Sequence, residues 1–100
     1  WKPEIGDLLA MNVEVRGEAG GKDTGYRHRI IDRFDHETGV TAMARTTAYT
    51  ASIVAGMLAQ GTIKGPGMIP PEKLGVNKVF TESLMAQLKR RGVHIKETPL

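Results

Sequence analysis

Two runs of alternating polarity, separated by a stretch with four glycines, constrain this chain more than any other feature of its sequence. In the first run Met11, Val13 and Val15 are apolar while Asn12, Glu14 and Arg16 are polar, which is the period of two of a half-buried strand. The segment from Gly17 to Gly25 carries Gly17, Gly20, Gly21 and Gly25, and residues that tolerate positive φ at such a place turn the chain back as a hairpin. A second strand follows, with Tyr26, His28 and Ile30 on one face and Arg27, Arg29 and Ile31 on the other. The adjacent Ile30 and Ile31 predict a bulge or burial on both faces.

Downstream the period changes. Asp35-His36-Glu37-Thr38-Gly39 has turn composition. Val40 to Ala44 reads as a third strand that runs into Arg45-Thr46-Thr47, where a hydroxyl caps the start of a helix. Ile53, Val54, Met57 and Leu58 recur at helical spacing up to Gly61, a C-terminal glycine cap. Thr62 to Asn77 holds Gly65-Pro66-Gly67, Pro70-Pro71 and Gly75. It therefore reads as a long loop with at most a short helical turn over Pro71–Leu74. Loops of that length are functional or pack against a partner. Thr81 caps a second helix with the stripe Leu84, Met85 and Leu88, ending in Lys89-Arg90-Arg91 and Gly92. Val93-His94-Ile95 alternates as a last strand, and residues 1–10 read as a lead-in. The expected fold is α+β in two layers, a small mixed or antiparallel sheet with two helices.

Length sets the scale of what this fold can do. One hundred residues with 40% apolar and 25% charged side chains make one domain with a single modest core. A net charge of +3 is ordinary for solubility and does not point to nucleic acid. The longest apolar run, Ile53 to Ala59, falls far short of the roughly 20 residues that cross a bilayer. Without cysteine there is neither a disulfide framework nor a thiol nucleophile, which fits a reducing, cytoplasmic setting. The chain opens on Trp1-Lys2-Pro3 with no signal-peptide pattern and is read as a segment of a longer protein.

The motifs that carry chemistry are few. Gly17 to Thr24 lacks both the glycine spacing and the Ser or Thr after Lys that a phosphate loop needs. His28, His36 and His94 form no i, i+4 pair for a metal. Asp32, Asp35, His36 and Glu37 read either as an acid–base cluster or as a solvated turn. Arg27, Arg29 and Arg33 lie on the second strand without the aromatic residues of a base-stacking surface. The most informative run is Met43 to Thr50, where Arg45, Thr46, Thr47 and Tyr49 bring a guanidinium, hydroxyls and a phenol to a helix start. Such a group either converges on a carboxylate or phosphate or serves capping and packing. Ala42, Ala44, Ala48 and Ala51 allow a close approach by another element.

Taken together, several segments resemble the C-terminal part of the saccharopine dehydrogenase-like family, which includes saccharopine reductase and lysine 6-dehydrogenase. They are Asp32-Arg33-Phe34-Asp35, Gly39 through Ile53, Gly67-Met68-Ile69-Pro70-Pro71-Glu72 and Arg91-Gly92-Val93. The likeness covers residues 11–97 and is most specific over Ala42 to Ile53 and the Gly67 to Glu72 loop. It implies an NAD(P)-dependent oxidoreductase acting on a lysine-related amino acid. NAD or NADP would be held by an N-terminal dinucleotide-binding domain outside this chain, and no G-x-G-x-x-G occurs here. The resemblance further implies that this piece belongs to a larger catalytic and dimerisation domain. Its partners would be its own N-terminal domain, a second copy in a homodimer and the amino-acid substrate, with the main catalytic residues upstream. Arg45-Thr46-Thr47-Ala48-Tyr49 matches the family's arginine-threonine-threonine helix start, which implies that Arg45 and Thr46 contact an anionic group near the interdomain cleft. A different class of reading, a regulatory module that binds a small amino acid, follows from the same strand and helix pattern with the glycine-rich hairpin as its ligand loop.

Overall fold

A computed structural model describes residues 5–100. In chain order the elements are β1 (Leu8–Ala19), β2 (Lys22–Arg33), α1 (Ala42–Ala59), α2 (Pro71–Gly75), α3 (Lys78–Arg90) and β3 (Lys96–Pro99). The strands make one antiparallel sheet in the order β1-β2-β3, and the helices lie against one face of it. The fold is α+β, and the short helical turn expected over Pro71–Leu74 within the long connection is present as α2, a third helix beside the two expected.

The hairpin is tighter and longer than its glycines suggest. Ala19 pairs directly with Lys22, and the two turn residues, Gly20 and Gly21, have φ of 60° and 75°. Positive φ at both positions is the requirement of a type I′ turn, whose twist matches that of the strands. Gly17 and Gly25 are therefore strand residues, not loop. Register is continuous from Leu8 opposite Arg33 to the turn, so there is no bulge at Ile30. Nor are both faces buried there, because Ile30 is 6% exposed and Ile31 67%. Helices cover one face and leave the other to solvent.

The third strand expected over Val40 to Ala44 is absent. Val40 makes an isolated bridge to Asp35 across the turn closed by Gly39, and Ala42 already opens α1. The cap also sits earlier than expected. Thr41 Oγ1 accepts from Ala44 N at 3.0 Å, while the Asp7 carboxylate accepts from Ala42 N at 2.7 Å and Met43 N at 2.9 Å. Those N–H groups have no partner within the helix, and a carboxylate there also meets the positive end of the helix dipole. Asp7 is seated by the preceding turn. Gly6 has φ of 73°, and a Cβ there would lie 2.5 Å from Phe34 Cβ, while Phe34 N donates to Asp7 O at 3.0 Å. Residues 5–10 are thus built into the fold, with β1 starting inside the stretch read as lead-in; residues 1–4 lie outside the described residues.

Two further expectations are corrected. Asn77 caps α3, accepting from Phe80 N at 3.1 Å, whereas the Thr81 hydroxyl donates to Gly75 O and Asn77 O. The last strand is Lys96–Pro99, not Val93–Ile95, because Val93 turns into the core at 3% exposure. That core consists of Ile53, Met57, Ile63, Phe80, Leu88 and Val93, with Val54, Ile69, Leu74, Leu84 and Ile95 packed around it. Ile63, Ile69 and Leu74 come from the long connection, which is held down on the chain's own core. Leu58 and Met85, expected in the helical stripes, are half-exposed at the margin.

Candidate functional site

Where β2 ends beside α1, a cleft of about 590 Å³ opens between Asp32, Arg33, Asp35, Arg45, Tyr49 and Arg91. Helical spacing puts Arg45 and Tyr49 one turn apart on the α1 face toward the sheet. Arg91 arrives from the C-terminal end of α3.

Arg45 is held firmly. Its Nη1 donates to Asp32 Oδ1 at 2.8 Å, and its Nη2 lies 3.7 Å from Asp35 Oδ2. The Arg45 and Asp32 side chains are 14% and 13% exposed, so the charges are largely desolvated and depend on each other. Asp32 Oδ2 is buried with no hydrogen-bond partner among the described residues. Asp35 is tied into its own turn, accepting from Thr38 Oγ1 at 2.7 Å and Glu37 N at 2.9 Å. The Thr38 hydroxyl, then the Glu37 amide, hold its carboxyl below the usual value, with the Arg45 charge adding to them.

Tyr49 and Arg91 form the opposite wall. The Arg91 guanidinium carbon lies 5.8 Å from the Tyr49 ring centroid, a cation–π arrangement, and Arg91 Nη1 donates to Ser52 Oγ at 3.2 Å. The structure therefore brings together Arg45 and Tyr49 from the residues singled out in the sequence. It does not bring Thr46 and Thr47 to the cleft. The Thr46 hydroxyl donates to Ala42 O at 2.9 Å, and that of Thr47 lies 3.7 Å from Met43 Sδ. The helix-start amides of Ala42, Met43 and Ala44 are already used by Asp7 and Thr41. The cleft thus offers Arg91, supported by Tyr49, as its adaptable cation, while Arg45 carries an internal counter-charge. A small anion such as a carboxylate suits it better than a polyphosphate.

The remaining candidates are dispersed. Asp32 and Asp35 both serve Arg45, and His36 packs edge-on against Phe34 with ring centroids 4.9 Å apart, so the turn does not assemble an acid–base cluster. Arg27 Nε donates to Glu14 Oε1 at 2.7 Å across the strands, which holds the Glu14 carboxyl below its usual value. Among the described residues no three His, Asp or Glu side chains gather as a metal site. One convergence was invisible in the sequence. A second pocket of about 270 Å³ between α3 and the β3 edge is lined by both His28 and His94, with Lys89, Glu97, Met85 and Val93. His28 Nε2 lies 2.8 Å from Glu97 Oε2, and a separation of 69 positions left no spacing signal.

Comparison with known proteins places this architecture. The saccharopine dehydrogenase C-terminal domain family matches residues 1–93. The chain belongs to that family. It is 35% identical over 92 residues to the saccharopine dehydrogenase of Saccharomyces cerevisiae designated NADP(+), L-glutamate-forming. The match takes in 91% of this chain and 20% of the yeast protein, so the chain spans about a fifth of that relative. No solved structure matches it. The described part of this saccharopine dehydrogenase C-terminal domain does not build a dinucleotide cradle. Such a cradle places pyrophosphate where a glycine-rich turn leads from a parallel strand into a helix, whereas here the strands are antiparallel and the α1 N-terminus donates to Asp7. Among the described residues no helix is long and apolar enough to cross a membrane.

Proposed function

We propose that this chain is the C-terminal substrate-facing part of a cytoplasmic NAD(P)-dependent oxidoreductase acting on a lysine-related amino acid. An N-terminal domain of the same polypeptide holds the dinucleotide, and the whole works as a homodimer. The observation that carries this reading is the family match across residues 1–93, together with the yeast relative's name. The cleft supports it by offering a site for a substrate carboxylate at Arg91 and Tyr49, beside an Arg45 fixed by Asp32. These side chains bind and orient; proton and hydride transfer belong to residues outside this chain. The test is a polypeptide carrying this chain behind its upstream residues, assayed for saccharopine-dependent reduction of NADP(+). Activity is expected, and Arg91→Ala should raise the KM for the amino acid while leaving that for the dinucleotide unchanged. Saturable micromolar binding of NADPH by the 100 residues alone overturns the division of labour.

The second pocket favours an alternative, a module that binds a free amino acid. Lys89 and Glu97 line the pocket together with the apolar Val93, Ile95 and Met85, a set that suits a carboxylate, an ammonium and an aliphatic chain. A rise in melting temperature with free amino acids supports that reading, since a ligand held by the folded state alone stabilises it.

A further inference from the structure

We infer that the pocket between α3 and β3 is an effector site for an aliphatic amino acid, whose occupant firms the turn that presents Arg91 to the cleft. This rests on the pocket reading above, and it sets both sites in one protein instead of choosing between them.

The pocket is walled by the chain itself. Lys89 comes from α3, His28 from β2, Glu97 from β3, and Val93, His94 and Ile95 from the link between α3 and β3. Val93 belongs to the core and Ile95 packs against it, so folding itself fixes the apolar lining. A volume of about 270 Å³ falls just below the roughly 300 Å³ at which pockets for drug-sized ligands begin, which is the scale of a single amino acid.

The polar groups divide by charge. Lys89 has no carboxylate within ion-pair distance among the described residues, and His94 lines the same pocket as a second donor. Glu97 is oriented by His28, whose Nε2 lies 2.8 Å from Oε2, and this leaves Oε1 without a partner among the described residues. An unneutralised ammonium with a second donor takes a carboxylate, and a carboxylate with a free oxygen takes an ammonium. Val93 and Ile95 take an aliphatic side chain. A zwitterion with such a chain meets all three demands, whereas a simple carboxylate or amine leaves one charge unanswered.

The pocket and the cleft lie on two sides of one turn. Val93 N donates to Leu88 O at 3.0 Å and Gly92 N to Lys89 O at 3.1 Å, with Gly92 at φ of 85°. This is the Schellman arrangement at a helix end. Lys89 and His94 bracket the turn from the pocket, and Arg91 within it lines the cleft. A carboxylate held by Lys89 and His94 ties the two ends of the turn together and opposes its local opening. A cleft substrate that needs Arg91 in place then binds at a smaller ordering cost.

The test uses the polypeptide that carries this chain behind its upstream residues, with L-norvaline as the probe. Calorimetry should show saturable binding of norvaline. Pentanoate and butylamine, each lacking one of its charges, should bind about tenfold or more weakly, the loss of one charge-assisted contact. Arg91→Ala should keep norvaline binding, while Lys89→Met and Glu97→Gln should lose it; circular dichroism should show both of these exposed variants folded. Norvaline should slow amide exchange at Gly92 and Val93 and lower the KM for the cleft's amino acid roughly fivefold or more, the low end for coupled sites. Lys89→Met should abolish both effects. No binding, equal binding of all three probes, loss of binding in Arg91→Ala, unchanged exchange, or an unchanged KM in the active enzyme overturns the inference. Calorimetry and exchange do not involve NADP(+), so an inactive polypeptide would count against the enzymatic proposal alone.

Discussion

The two ends of the β1–β2 hairpin sit in different surroundings although their strands are alike. Near Arg33 the sheet lies under α1: Ile30 is buried, Asp32 grips Arg45, and Asp7 closes the helix start. Toward the Gly20–Gly21 turn, the same face carries Val13 and Val15 with no helix above them. The alternation is unbroken, yet apolar side chains stabilise the monomer only at one end. Period-two patterning marks which face is meant to be covered; it does not say by what.

Substitutions on either side of this boundary should behave differently. The largest effect is expected in the core. Ile53→Ala, at 1% exposure, should cost about 3 kcal/mol in urea unfolding, from lost burial and the cavity left behind. Val13→Ala should stay within about 0.5 kcal/mol for the monomer, and equal costs would break the contrast. Next comes the ion pair under the cleft. Asp32→Ala leaves the Arg45 guanidinium desolvated without its nearest partner, and should cost about 2 kcal/mol, less than a fully buried pair because both groups keep some exposure. Mutual rescue by Arg45→Met would sharpen the assignment.

The smallest effect is a pH dependence. Hydrogen bonds to Asp7, first from the Met43 amide and then from that of Ala42, hold its carboxyl below the usual value. A group with a depressed folded-state pKa adds stability above its unfolded value that is lost as the pH falls through the folded one. The melting temperature should therefore drop more steeply below roughly pH 4 in the native chain than in Asp7→Asn, which starts lower and titrates less. Parallel acid profiles would remove Asp7 from the cap.

Much of this fold was legible because local signals and burial agree. The glycine-rich stretch between alternating runs specified a hairpin, though not its two-residue turn at Gly20 and Gly21, and the Ile53–Met57 and Leu84–Leu88 stripes specified two helices with their basic or glycine ends. The strand expected at Val40 failed because Val40 to Ala44, apolar except for Thr41, carries no period, and the Asp7 cap waits 35 residues upstream of the amide it bonds. At the cleft, Arg45 and Tyr49 were legible from their chemistry and shared helix face. Arg91 was not, because a cation in the last turn of a helix already has a local role.

The amino-acid sequence by itself determined the class of fold, the family and the polarity of each face, since these follow from periods of two and 3.6, from turn residues and from a contiguous motif. Only the tertiary structure decided which charges neutralise one another, which pocket gathers His28 and His94, and which stretch of β1 stays bare. Those are matters of distance between residues far apart in the chain, and local patterning carries no record of them.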